Sequence, residues 1–391
     1  MTNNSFLKSF KSYYYCSILY ITLNILLLMN TSNLFSQKKI NTGRQVELDI
    51  AKGLSIIFMV FLHTFYVAGA FHSSYNPTFS FIIMKILGRP FAAVIFMFCM
   101  GVGIVYSRHS QWNIMIKRGV KLFLLGILVN VFEFFIPHFV AGALLGKADV
   151  FPIAGGLMLF CVDILAFAGL SFILMGILKK LELSNKKLIV IAVVMSIIGT
   201  LLRGVDFGIP LVNLFFSYFI GASGGFTAFP LFNWFIIPVA GYIWGQYFIR
   251  AKDKNEFFKF WPILLIIALI YFILSSDLGN GILSNNIHEY YFLETIDAIF
   301  CILNAHAMIG LCHWIAKYLP DTLIKAFTTL SSNINMIYIA QWFFIPLTII
   351  LLAYFAKNMV MHDLLASIIA ICILILSTAV ALGYKKLKSR S

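Results

Sequence analysis

Charge is scarce in this sequence: Asp, Glu, Lys and Arg together make up 11% of 391 positions, and the 15 acidic residues are outnumbered by 29 basic ones. With 61% hydrophobic residues and a mean hydropathy of +0.93, the chain lies outside the range of soluble domains. Cysteine pairs are missing too. Cys16, Cys99, Cys161, Cys301, Cys312 and Cys372 all fall in apolar segments without CxxC or CxxH spacing, so they read as small buried hydrophobes. HExxH, P-loop, GxSxG and EF-hand patterns do not occur, which leaves metalloprotease, ATPase and serine hydrolase readings unsupported. There is no Ser/Pro-rich linker and no internal repeat, so one integral domain is the simplest organisation.

What is present is a series of apolar runs long enough to cross a hydrocarbon core of about 30 Å as helices. They lie near 15–35, 50–70, 81–106, 122–140, 151–178, 188–202, 228–250, 259–275, 291–315, 328–353 and 363–382. The expected fold is therefore all-α, a polytopic membrane bundle of about eleven spans, ten core helices plus an N-terminal one. Residues 209–221 are apolar but short and close on GASGG, which reads as a re-entrant or interfacial piece.

The net charge of +14 reports orientation rather than nucleic acid. With the 35–52 loop in the cytoplasm, that side receives the Lys and Arg at 38, 39, 44, 52, 108, 117, 118, 121, 179, 180, 186, 187, 250, 252, 254, 259, 317, 325, 385, 386, 388 and 390. The far side receives Lys147, Arg203 and Lys357. This asymmetry places the chain in the cytoplasmic membrane with its C-terminus inside. Lys8 and Lys11 fit less well, and residues 1–43 stand apart as a segment whose apolar run is a span, an interfacial helix or a processed leader.

The stretch LDIAKGLSIIFMVFLHTF, 48–65, carries Asp49 and Lys52 at its start and His63 deep inside. An ionisable group in hydrocarbon is retained for a partner, a water cavity or a reaction. Eleven residues separate Lys52 from His63, which returns them to within about 20° of one helix face, roughly 16 Å apart along the axis. Asp49 lies about 40° off that face. An ordinary reading makes Asp49 and Lys52 a boundary ion pair and His63 a helix–helix contact. The functional reading is a channel holding an anion at Lys52 and performing base chemistry at His63.

Four stretches resemble one family in order. R..ELDIAKGLSIIFMVFLH, Arg44 to His63, resembles the first core helix of the multi-pass membrane acyltransferases, a group that includes the acyltransferase-three family and the heparan-alpha-glucosaminide N-acetyltransferases. FMFCMGVGIVYSRH with IKRGVKLFLLGILVN, 96–130, is similar to the second and third core helices of the heparan branch. FPLFNWFIIPVAGYIWGQYF, 229–248, and LSSNINMIYIAQW, 330–342, are similar to two later motifs of the group. The resemblance makes 44–391 a membrane acyltransferase domain. It implies transfer of an acyl group, usually acetyl, from cytoplasmic acyl-CoA to a hydroxyl or amine of an extracytoplasmic glycan or lipid-linked sugar. The partners it implies are acyl-CoA, that acceptor and membrane lipid, with acetyl-CoA as co-substrate and no metal.

On that resemblance the catalytic candidates are His63, Lys52 and Asp49. Lys52, Arg118 and Lys121 flank the cytoplasmic mouth and can pair with the phosphates of coenzyme A; the ordinary reading of Arg118 and Lys121 is positive-inside decoration. Two departures stand out: Lys52 replaces an Arg common in the acyltransferase-three family, and Gln341 replaces a His. The heparan branch places a catalytic histidine in an outer loop, where this chain has only His72, within FHSSYNPTF; the flanking match is poor, so His63 ranks above His72. Lys85 and Arg89 are candidates for an anionic acceptor or an oxyanion, against snorkelling and a carboxylate pair as the plainer readings. Glu133 and Asp163 fall near mid-membrane in their helices, with Lys85, Arg89 or each other as partners. His306 is a candidate for the acceptor cavity and His313 for a structural role, with Asp297 two and a half turns before His306. Tyr338 and Gln341 position substrate or make a helix contact.

The rival expectation is a proton-coupled transporter of a small anionic or sugar-like solute, relaying protons through Glu133, Asp163, Asp297 and His306, with 221–225 as a gate. No paired half-helices support it. A third class is a family member that only binds glycan or lipid.

Overall fold

The computed structural model describes residues 34–69, 73–74, 76–146, 157–224, 227–277, 279, 281–285, 287–355 and 361–389. The expected span at 15–35 and His72 therefore lie outside the described residues, apart from the last two positions of the former. The fold is all-α and polytopic. Among the described residues, eight helices are long and apolar enough to cross a membrane.

In chain order the helices are α1 (Val46–Gly69), α2 (Pro77–Tyr106), α3 (Trp112–Leu145), α4 (Ile164–Lys180), α5 (Asn185–Leu202), α6 (Pro210–Ile220), α7 (Ile236–Phe248), α8 (Trp261–Asp277), α9 (Thr295–Ala316), α10 (Asp321–Ser332), α11 (Ile334–Phe355) and α12 (Asp363–Lys388). Each of the ten core runs thus falls on a helix, with three changes of boundary. In the run at 151–178, of which 151–156 lie outside the described residues, a 3₁₀ turn at Leu157–Phe160 precedes α4, and Asp163 is its extended N-cap rather than a mid-helix residue. The run at 228–250 is split into Leu231–Trp234 and α7, because Pro238 lacks the N–H that would close the turn onto Trp234. The run at 328–353 breaks at Asn333 between α10 and α11. α6 has 11 residues, about 16 Å, too short to cross, as the sequence led one to expect.

Loops that carry Lys and Arg meet at one end of the bundle. There Lys254 Nζ pairs with Glu47 Oε1 at 2.6 Å, Arg44 Nη2 donates to Thr328 O at 3.0 Å and Lys179 Nζ to Ser110 O at 2.6 Å. At the opposite end Arg203 bridges Glu289 and Glu294 at 3.0 and 3.3 Å. A two-residue parallel ladder, Ser73–Ser74 with Met361–His362, ties the start of α2 to that of α12. Asn76 caps α2 through its Oδ1, and its own N–H donates to Asp363 Oδ2 at 2.7 Å.

Small residues let helix backbones touch, the usual way to bind helices when lipid is as apolar as Leu. α3 meets α4 through Gly119, Gly126 and Gly169; a Cβ on Gly126 would sit 2.6 Å from Ala166 N. α2 meets α7 through Gly101 and Gly241; a Cβ on Gly101 would lie 2.7 Å from Tyr242 N and closer still to Pro238 O. Backbone cannot yield as a flexible side chain does, so Gly101→Val is expected to destabilise the protein by about 3 kcal/mol. A thermal unfolding series in detergent checks this; an unchanged melting temperature would contradict the packing described.

α2 and α3 each contain a π-helical stretch, Ile82–Ala93 and Val131–Phe135. Pro90 lies within the first. Its carbonyl accepts from Asn304 Nδ2 at 3.0 Å, and that of Ala92 accepts from Ser55 Oγ at 2.7 Å, so neighbouring helices satisfy the irregular backbone. π-turns of this kind are frequent at functional sites.

Candidate active site

α1 carries polar groups at two levels. At the basic end Asp49 gathers three partners: an ion pair with Arg44, a bond from Ser331 Oγ at 2.6 Å, and Lys52 Nζ at 3.7 Å. Asp49 is buried and so ties the start of α1 to α10 while holding Lys52 in place. Lys52 then lines a cavity of about 190 Å³ between α1, α2, α3, α4 and α11. Arg118, His109, Ser107, Ser110 and Asn335 provide its other polar lining. The Arg118 guanidinium lies 4.8 Å over the Phe172 ring, which aims it without neutralising it. Lys121 is exposed and does not line the cavity, so of the three expected phosphate partners two converge.

Three turns deeper, about 16 Å along the axis, His63 stacks on Trp342 with ring centroids 4.3 Å apart and an interplanar angle of 29°. Its Nδ1 lies 3.1 Å from the Gln341 amide. Tyr338 presents its ring edge at 6.3 Å and donates its hydroxyl to Asp163. One face of α11 therefore supplies Tyr338, Gln341 and Trp342 around one imidazole. No described residue hydrogen-bonds to His63 Nε2.

Glu133 sits in the π stretch of α3, where the wider turn rotates it inward, and its Oε2 has no hydrogen-bond partner among the described residues. It interacts electrostatically with Asp163 and Tyr66, and Asp163 with Tyr290 and Tyr291. Of the partners left open by the sequence, neither carboxylate forms an ion pair with Lys85 or Arg89 among the described residues. Those cations take neutral partners instead: Lys85 bonds Asn285, and Arg89 Nη1 donates to Ser284 O at 2.6 Å and Ile282 O at 3.4 Å.

His306 does not join this group. Its Nδ1 accepts from Trp244 Nε1 at 2.9 Å, and Phe257 and Phe258 pack against its ring. His313 meets Asn255 Oδ1 at 3.2 Å at the basic end, and Asp297 accepts from Tyr271 OH at 2.7 Å. These three groups make separate structural contacts. His109, Tyr290, Tyr291 and Trp342 are site residues that the sequence did not single out. The RH pair closing α2 beside a basic run, and the YY pair in the short HEYYF connection, were the available signals.

Fold and site together define a multi-pass integral membrane protein with a cationic cavity at one end and a half-buried imidazole deeper on the same helix. The catalytic-domain model of heparan-alpha-glucosaminide N-acetyltransferase matches residues 44–278, more than half of the chain, and the chain belongs to that family of membrane acetyltransferases. None of the curated proteins matches the chain. The matched region contains His63, Lys52, Arg118, Glu133 and Asp163, whereas Tyr338 and Gln341 come from α11 beyond it.

Proposed function

We propose that the protein moves an acetyl group from cytoplasmic acetyl-CoA to a hydroxyl or amine of a carbohydrate on the far side of the membrane. The observation that supports this most is the layout of α1: Lys52 in a basic cavity, and His63 about 16 Å deeper with an Nε2 to which no described residue hydrogen-bonds. The extended pantetheine arm of coenzyme A can span such a distance. The excess of Lys and Arg that the sequence assigns to the loops of one side supports reading the basic end, with Lys52, Arg118, Lys179 and Lys254, as cytoplasmic. Residues 44–391 act as one acyltransferase domain.

In this reading Lys52 and Arg118 hold the phosphates of acetyl-CoA, and the thioester reaches the level of His63. His63 Nε2 takes the proton of the acceptor O–H or N–H as that atom attacks the thioester carbonyl. The new C–O or C–N bond forms, the C–S bond breaks, and the imidazolium returns the proton to the departing thiolate, so that free coenzyme A leaves as the thiol. Base action at Nε2 requires Nδ1 to carry the hydrogen; the Gln341 amide turned by 180° accepts it on Oε1, and amide orientation is interchangeable at this level of geometry. Trp342, stacked on the ring, stabilises the cationic form. Tyr338, fixed by Asp163, walls the site and positions the ring.

Purified protein in detergent, given acetyl-CoA and a panel of amino sugars and neutral sugars, is expected to release free thiol faster with at least one acceptor, with the acetyl label in that sugar. No thiol release with any sugar, together with sugar counterflow in vesicles, would favour a carrier and contradict the proposal.

A further inference from the structure

Arg89 is a cation placed where a cation is costly. Its residue is 7% exposed, and it lies within α2, among the helices long and apolar enough to span. A Cβ on the preceding Gly88 would sit 2.9 Å from Leu62 Cδ1, so the two helices touch at the residue before His63. Arg89 therefore stands at the depth of the candidate base.

Its partners are all neutral. Nη1 is satisfied by the carbonyls of Ser284 and Ile282, and the guanidinium lies 5.2 Å over the Tyr290 ring. None of the ion pairs among the described residues includes Arg89 or Lys85. Neither Glu133 nor Asp163 pairs with them: Asp163 accepts from Tyr338, and Glu133 Oε2 has no hydrogen-bond partner among the described residues. Carbonyls and a ring face orient a guanidinium without cancelling its charge, and Nε and Nη2 keep their donors in a fork that matches a carboxylate, sulfate or phosphate ester. Lys85, one turn nearer the opposite end and bonded only to neutral Asn285, adds a second uncancelled charge.

We propose that Arg89, assisted by Lys85, binds an anionic group on the carbohydrate acceptor at the depth of His63. The proposal rests on the acetyl-transfer reading for the identity of the bound molecule as acceptor. The phosphates of coenzyme A are not the anion in question, because Lys52 and Arg118 hold them about 16 Å nearer the basic end. The Tyr290 ring, 5.2 Å from the Arg89 guanidinium, flanks the proposed anion site.

Binding of labelled glucuronate, glucose 6-sulfate and glucose 6-phosphate to the detergent-purified protein, with glucose as the neutral twin, tests this without relying on catalysis. At least one sugar acid is expected to bind tenfold or more tightly than glucose. That preference is expected to vanish in Arg89→Gln and to survive, weakened, in Arg89→Lys, and acetyl-CoA binding should stay unchanged in both. Equal binding of acids and glucose by the parent protein would overturn the proposal, as would a preference that persists in a folded Arg89→Gln. Displacement by phosphatidylglycerol but by none of the sugar acids would identify a lipid headgroup and overturn it as well. Loss of acetyl-CoA binding in the parent, with acid preference intact, would sink the transfer reading and leave the anion site standing.

Discussion

His63→Ala is expected to lower acetyl transfer by a factor of about 10³ while leaving acetyl-CoA bound, since removal of a positioned base typically costs 10²–10⁴. Substitution also empties the space against Trp342, so His63→Gln, which keeps the size and a hydrogen bond, belongs beside it. Both should lose turnover with unchanged affinity, because the ring lies three turns from the cavity proposed to hold the phosphates. Three other imidazoles are engaged or placed elsewhere. His306 accepts from Trp244 among aromatic rings, and His313 and His109 belong to the basic end. His72→Ala is the companion measurement: it should retain most of the activity, and the reverse outcome, loss in His72→Ala with retention in His63→Gln, would move the base to the outer loop.

The double substitution Lys52→Ala, Arg118→Ala is expected to weaken acetyl-CoA binding by about 10²-fold. Each hydrogen bond to a charged group contributes about 1.5–3 kcal/mol, and tenfold corresponds to about 1.4 kcal/mol. Lys52 is partly exposed and Arg118 exposed, which pulls the sum toward the lower end. Added salt should weaken the parent more than the double variant, since screening acts on the charges that the variant lacks. Lys121→Ala is the control. Its side chain is exposed and outside the cavity, so affinity should change little. An equal loss in Lys121→Ala would show a diffuse surface potential rather than a site.

Much of the site was legible because α1 is regular. Lys52 and His63 lie on an uninterrupted helix, so counting residues gives their relation directly. The same arithmetic misplaced Asp163, since the nearest preceding Gly, Gly156, lies well before it and nothing closer announces that the helix begins at Ile164. It also missed how Glu133 turns inward, because a π stretch has no composition of its own. His306 sits on a helix as regular as α1, yet its neighbours Trp244, Phe257 and Phe258 come from segments distant in sequence, and periodicity says nothing about what faces a side chain. Family membership was legible for a different reason: the matched region, 44–278, contains three of the four motifs, each built around Gly, Pro or charge rather than interchangeable aliphatic residues.

In the proposed reaction donor and acceptor approach from opposite ends of one bundle. Vesicles reconstituted with the basic end facing the lumen, loaded with labelled acetyl-CoA and bathed in the sugar that releases thiol fastest in detergent, test it most directly. The account predicts labelled acetyl-sugar outside and free thiol inside, both abolished by His63→Gln. Product confined to the lumen, or sugar crossing the membrane without label, would contradict it.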